Sequence, residues 1–208
     1  MEVNGADGDI ERRGQTRRTQ AERRAATRRA LLDAGRALFA ERGYAGAGQE
    51  EIVERAGVTR GALSHHFGTK LGLFGAVVEA VEQDLTARIA TAALAGADPL
   101  EHLRFGCLAF LDAALDPAVR RIVLLDAPAV LGWEAWRQME TVYGLGLVSE
   151  ALEHCMAAGL LVRRPVAPLA HLLLAALNEA AMLVATAVEP EQARAEVGEE
   201  VERLLASL

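Results

Sequence analysis

With 208 residues, 51% of them hydrophobic and 25% charged, the chain can bury a substantial core, which excludes a disordered tail. Two cysteines, Cys107 and Cys155, cannot build a disulfide scaffold, and the polar, acidic start Met1 to Asp9 lacks the basic-then-apolar order of a secretory signal, so a reducing cytoplasm is expected. The net charge of −7 is unevenly spread: residues 1–75 hold 13 basic and 10 acidic side chains, residues 76–208 hold 9 and 19.

Forty-one alanines and few β-branched runs favour an all-α fold. Residues 12–29 carry eight arginines (Arg12, Arg13, Arg17, Arg18, Arg23, Arg24, Arg28, Arg29) and one acid, Glu22. That density suits a polyanion, and it equally suits a solvated arm, expected over residues 1–19. From Gln20 to Arg42 the residues Ala30, Leu31, Ala34, Leu38 and Phe39 recur at helical spacing, and Gly43 is placed to end that helix. After a loop from Tyr44 to Gly48, the run Gln49 to Ala56 sets Ile52, Val53 and Ala56 against Glu50, Glu51 and Glu54, and Gly57 stops it. Thr59 then caps a third short helix with Leu63 and Phe67 on one side and Arg60, Ser64 and His65 on another. Two short helices around one glycine form a helix-turn-helix.

Beyond Gly68 a long amphipathic helix starts near Lys70, carries Leu71, Phe74, Val77, Val78, Val81, Leu85 and Ile89, and fades around Ala95 to Ala97. Asp98 with Pro99 and Asp116 with Pro117 mark the next two helix starts, and Pro128 is expected to end the second. Trp133 to Ala158 reads as a further long helix closed by Gly159. Pro165 and Pro168 precede the apolar run Leu169 to Val188, and Pro190 opens a last helix with Ala193, Val197, Val201, Leu204 and Leu208 as one stripe. At about 1.5 Å per residue the apolar run is long enough to cross a bilayer. His171, Asn178 and Glu179 are costly there, so it is expected as a buried helix with no membrane partner, covered by its own domain and by a second subunit.

The stretch Gly57-Val58-Thr59-Arg60-Gly61-Ala62-Leu63-Ser64-His65-His66-Phe67-Gly68-Thr69-Lys70, with Ala34, Leu38, Phe39, Gly43 and Tyr44 upstream and Leu73 and Phe74 downstream, resembles the DNA-binding domain of the tetracycline-repressor (TetR) family of bacterial regulators. The resemblance implies an all-α homodimer with a small N-terminal domain that binds operator DNA and a larger C-terminal domain that binds an effector. On this chain those would be residues 20–68 and 69–208. The later part is similar to the family in helix count and in the stretch Leu124 to Trp133.

Carried onto these residues, the resemblance puts Thr59, Arg60, Gly61, Ala62, Ser64, His65 and Lys70 at the DNA. Arg60 can read a guanine bidentately, and Ser64 and His65 can reach a base edge or a phosphate. Gly61 and Ala62 permit close approach; Thr59 caps the helix and offers its hydroxyl to a phosphate, and Lys70 adds a charge contact. The chain departs from the family pattern at Ala47 and Gly48, where many members have a hydroxyl residue, and at Ser64, where a tyrosine is usual. Fewer phosphate contacts follow, and the arginine-rich segment can offset them by entering an adjacent minor groove.

The pair His65–His66 and the histidines His102, His154 and His171 fall on separate helices without zinc-type spacing, so neither metal nor cofactor is expected. No Gly-rich phosphate loop, serine elbow or catalytic Cys/His pairing appears, so no enzyme is expected. Cys107 and Cys155 read as inert core thiols. Trp133, Trp136, Met139 and Tyr143 share a broad helical face that suits core packing or an apolar ligand pocket. Asn178 and Glu179 need polar partners when buried, from a ligand, Tyr143 or the other subunit. Met182 shares the face of Asn178, and Phe105 joins from the helix after Pro99. The sum is a homodimeric repressor, paired through its last two helices and released by a small-molecule effector; the alternative is the same fold controlled by a protein partner or without ligand.

Overall fold

The chain begins its first helix with a reciprocal cap. Thr19 Oγ1 accepts the Glu22 amide at 3.2 Å, while the Glu22 carboxylate accepts the Thr19 amide at 2.7 Å. The computed structural model describes residues 19–208; Arg12, Arg13, Arg17, Arg18 and the arm expected over residues 1–19, Thr19 apart, lie outside the described residues. Among the described residues every regular element is helical.

Helix α1 (Gln20–Gly46) buries Leu31, Ala34, Leu38 and Phe39 on one face. It is interrupted at Gly43, whose φ of 71° is left-handed and where a Cβ would overlap the Arg121 guanidinium. The loop expected from Tyr44 is instead one further turn, because Tyr44 is held by packing: its ring lies 6.0 Å from Phe39 and 5.0 Å from Phe74. Helices α2 (Gln49–Arg55) and α3 (Arg60–Phe67) follow, with Gly57 at φ 66° between them and Gly68 at φ 72° after them. Helix α4 (Lys70–Ala93) is capped by Thr69, and α5 (Pro99–Ala113) by Asp98, which accepts the amides of Leu100 and Glu101 at 2.9 Å.

Pro128 does not end a helix. The chain runs as a π-helical segment (Val119–Asp126) straight into α6 (Ala127–Leu131), and Gly132, at φ 86°, makes the stop. The Ala127 amide bonds to the Ile122 carbonyl five residues back, so the turn is already widened where the proline ring enters and its missing N–H falls at a change of bonding register. A second π-helical segment (Thr141–Leu145) divides the long helix expected over residues 133–158 into α7 (Trp133–Glu140) and α8 (Gly146–Ala157).

Helix α9 (Val166–Thr186) begins three residues before the expected start, with Pro168 in its first turn, where no amide is required. It alone among the described residues is long and apolar enough to cross a membrane. Its inner face, including Leu173, Leu177, Ala181 and Val184, is buried in the core. In α10 (Pro190–Ala206) the buried stripe runs through Val201 and Leu205; Leu204, placed on that stripe by spacing alone, is 40% exposed. Helix α4 packs along α5, and α5 touches α8, α9 and α10, while α1 leans on both α4 and the first π segment.

Candidate DNA interface and effector cavity

Thr59 Oγ1 accepts the Ala62 amide at 3.2 Å, which fixes the start of α3 and leaves Arg60, Gly61, Ser64 and His65 exposed, Ala62 partly exposed and Leu63 buried. Arg60 pairs with Glu50 of α2 at 3.0 Å, both side chains in solvent. A pair of that kind is weak and exchangeable. Lys70 sets its ammonium 4.4 Å from the centre of the Tyr44 ring, so it sits against the α1 corner at the foot of α3.

Arg24 and Arg28, part of the arginine-rich segment, belong to α1 and flank α3. Arg28 lies over the Phe67 ring at 5.3 Å, and the His66 ring is 5.3 Å from His65 and 6.2 Å from Phe67. Burial, then the charges of His65, Arg24 and Arg28, hold His66 below the ordinary histidine range. One face of α1 and α3 thus concentrates positive potential around the recognition helix. Thr69, whose hydroxyl accepts the Gly72 amide at 3.1 Å, was not singled out in the sequence, although a threonine just before the α4 start is the signal of a cap.

In the body of the molecule two cavities adjoin. One, of about 340 Å³, lies among α4, α5, α8 and α9 and is walled by Leu85, Ile89, Leu103, Phe110, Leu147 and Leu177. The other, of about 320 Å³, takes in Leu124, Pro128, Trp133, Trp136, Asn178 and Met182. Glu82, Phe110, Gly144 and Leu174 line both. Trp133 and Trp136 stand with ring centres 5.1 Å apart, Trp133 being 68% exposed at the rim. Tyr143 lines the first cavity instead of the second, because the π turn at Thr141–Leu145 rotates it away from the tryptophans. Its hydroxyl donates to Glu79 and accepts from Gln83, each at 3.4 Å. Met139 and Phe105 line neither cavity: Met139 packs on the core, and Phe105 lies 5.7 Å from the Arg104 guanidinium.

Asn178 donates to Glu140, which also pairs with Arg137 at 3.2 Å, so its polar partner within the chain is a carboxylate and not Tyr143; Glu179 is exposed at the rim of the second cavity. Glu82 is pushed up to about 7, chiefly by burial and then by Glu140. Burial likewise raises Glu140, against the pull of Arg137 and Asn178. Neither acid was singled out in the sequence, although Glu82 lies four residues after Val78 and three before Leu85, on the buried face of α4. The Cys107 thiol, in the wall of the first cavity, is pushed up to about 12 by burial.

A solvent-facing, positively flanked recognition helix set on a helical body defines a helix-turn-helix transcriptional regulator. The chain belongs to the TetR family: residues 31–77 match the family model described as bacterial regulatory proteins, tetR family, and residues 100–208 match the tetracyclin repressor-like C-terminal domain. The crystal structure of a TetR-family transcriptional regulator from Pectobacterium atrosepticum superimposes with a TM-score of 0.79 at 34% identity, over 92% of this chain and 97% of that one. Among curated proteins, the HTH-type transcriptional regulator CymR of Pseudomonas putida is 46% identical over 72 residues, 35% of this chain. The HTH-type transcriptional activator FasR of Mycolicibacterium smegmatis is 36% identical over 108 residues, 49% of this chain. These matches span 36% and 49% of the two proteins' own lengths.

Proposed function

We propose that the protein is a cytoplasmic homodimeric repressor that binds a palindromic operator through α3 and lets go when a small molecule enters the cavities beneath α4. The observation that carries this reading is the continuity of α4, which starts at Lys70 beside α3 and brings Glu82, Leu85 and Ile89 into the cavity walls. Residues 20–68 form the DNA-binding unit in this reading, and residues 69–208 the sensing and pairing unit. Thr59, Arg60, Gly61, Ala62, Ser64, His65 and Lys70 face DNA; Trp133, Trp136, Tyr143, Asn178 and Met182 line or support the effector space. Support for pairing through α9 and α10 comes from apolar side chains left outside the core, Leu172 at 71% and Leu183 at 53% exposed, with Leu204 on the neighbouring helix.

Selection of bound genomic fragments tests the reading. An inverted repeat with half-sites about 34 Å apart, or somewhat more, is expected for two recognition helices related by a dyad. A selected site without a dyad overturns the dimer. A reporter placed downstream reads the sign of regulation: repression relieved by ligand supports the proposal, and activation overturns it.

A further inference from the structure

We propose that the ligand of the two adjoining cavities is an organic cation, an apolar body bearing a quaternary or protonated amine that sits against Glu82 on the side of Trp133 and Trp136. The inference rests on the reading of these cavities as the effector site and names the class of effector.

Three observations lead there. First, Glu82 lines both cavities and so occupies their junction. Burial and the neighbouring Glu140 are the influences on its carboxyl, and no hydrogen bond or cation from a described residue offsets them. Second, of the other polar groups of the second cavity, Glu140, Arg137 and Asn178 hold one another, and Glu179 stands exposed at its rim. Glu140, only 9% exposed, holds Arg137 at 3.2 Å and the Asn178 amide, and Arg137 rests 5.9 Å from the Trp133 ring centre. The Asn178 amide is thus directed at Glu140, and the carboxyl at the junction of the two cavities without a partner among the described residues is that of Glu82. Third, the remainder of the wall is largely aliphatic and aromatic, with Leu85, Ile89, Phe110 and Leu174 extending from the acid into the first cavity.

The titratable groups facing this space from the other elements do not supply a cation at that point. His102 is bonded to the Gly96 carbonyl at 3.1 Å, and Tyr143 donates to Glu79. His154, Glu150 and Cys107 belong to the first cavity alone, and Glu179, at the exposed rim of the second, is an acid. An anion entering here meets three carboxyl groups, Glu82 and Glu140 within and Glu179 at the rim, and a neutral apolar molecule leaves the Glu82 carboxyl without a partner. A cation relieves both, and the indole faces at the rim add attraction for it.

Trp133 and Trp136 are the two tryptophans of the chain, so their fluorescence reports the cavity directly. The probes are benzyltrimethylammonium, its uncharged carbon isostere neopentylbenzene, and the anion phenylacetate. The cation is expected to give a saturable change with affinity about tenfold or more above that of the isostere, and phenylacetate none. Glu82→Gln should erase the preference for the cation, and unchanged affinity for the isostere in that variant reports an intact cavity. Equal or tighter binding of the isostere or the anion to the unaltered protein overturns the proposal, as does a preference that survives Glu82→Gln. Operator release is read separately. A cation that binds through Glu82 yet leaves the operator bound upholds the ligand class and overturns the release reading. Release by the isostere or the anion, with no response to the cation, does the reverse.

Discussion

Arg60 opens α3 and Lys70 opens α4 just beyond it, but they differ in what their charges can do. The Arg60 guanidinium is exposed and tied only to Glu50, a surface pair worth about 0–1 kcal/mol, so it is free for a planar two-point contact worth about 1–3 kcal/mol. The Lys70 ammonium is a compact charge packed on Tyr44. Arg60→Ala should therefore cost about 1–3 kcal/mol on the preferred sequence and narrow the gap to scrambled DNA, whereas Lys70→Ala should weaken both alike. Titrations on the two DNAs decide it, and equal losses for Arg60→Ala remove it as a reader. A second prediction concerns Glu82. Its carboxyl, raised from 4.5 to about 7, stays protonated in the folded chain at pH values where the unfolded chain has lost the proton. Stability from this group is full below 4.5 and is lost as pH rises through 7, so Glu82→Gln should add up to about 3 kcal/mol above pH 7 and nothing below 4.5. A melting temperature difference that does not grow across that window refutes it. The residues proposed to meet DNA stood out because cap, outward face and spacing all lie within one short segment, Gly57 to Lys70. The acids Glu82 and Glu140 did not stand out, because the enclosure of Glu82 and the Asn178 partner of Glu140 arise only when α4, α7 and α9 pack together.

Helix starts were readable where a side chain caps its own neighbours, as at Thr59 and Asp98, and stops at the positive-φ glycines Gly57, Gly68 and Gly159, though not at Gly132. The two π segments were not readable. Their widened turns have no composition of their own, and the rule that proline ends an α-helix fails at Pro128 because the helix has changed register just before it. The first π segment also grips the corner after α1. Asp126 Oδ2 accepts the Tyr44 amide at 2.6 Å, Asp126 pairs with Arg121 at 3.3 Å, and the Arg121 guanidinium fills the space beside Gly43. Gly43→Ala must then pay for a left-handed φ and displace that guanidinium, so a loss of at least about 1–2 kcal/mol is expected. Gly146 offers the opposite case: its helical φ and the open space around it should let Gly146→Ala gain about 0.5–1 kcal/mol. Denaturant unfolding of both variants checks the contrast, and a Gly43→Ala protein as stable as the parent refutes the clamp.

Two connections join the recognition helix to the cavities, and they can be separated. One is α4 itself, uninterrupted from Lys70 to the cavity wall. The other runs from the second cavity, through Val123 and Leu124 of the π segment, to Asp126 and the Tyr44 amide, and from the Tyr44 ring to Lys70. In the proposed release, a ligand that lowers operator affinity about 100-fold supplies about 2.7 kcal/mol of coupling, and operator DNA must weaken the ligand by the same factor. Trp136→Ala removes wall from the second cavity and should raise the ligand concentration needed for release, with operator affinity in the ligand-free state unchanged within a few-fold. Asp126→Ala touches no ligand. It cuts the second connection, so ligand affinity in the absence of DNA should hold while the coupling falls well below its starting value. Operator titrations at graded ligand, and ligand titrations with and without saturating operator, measure that coupling from both sides. Full 100-fold coupling retained by Asp126→Ala would leave α4 as the sole carrier and reduce the Tyr44–Asp126 bond to a stabilising contact.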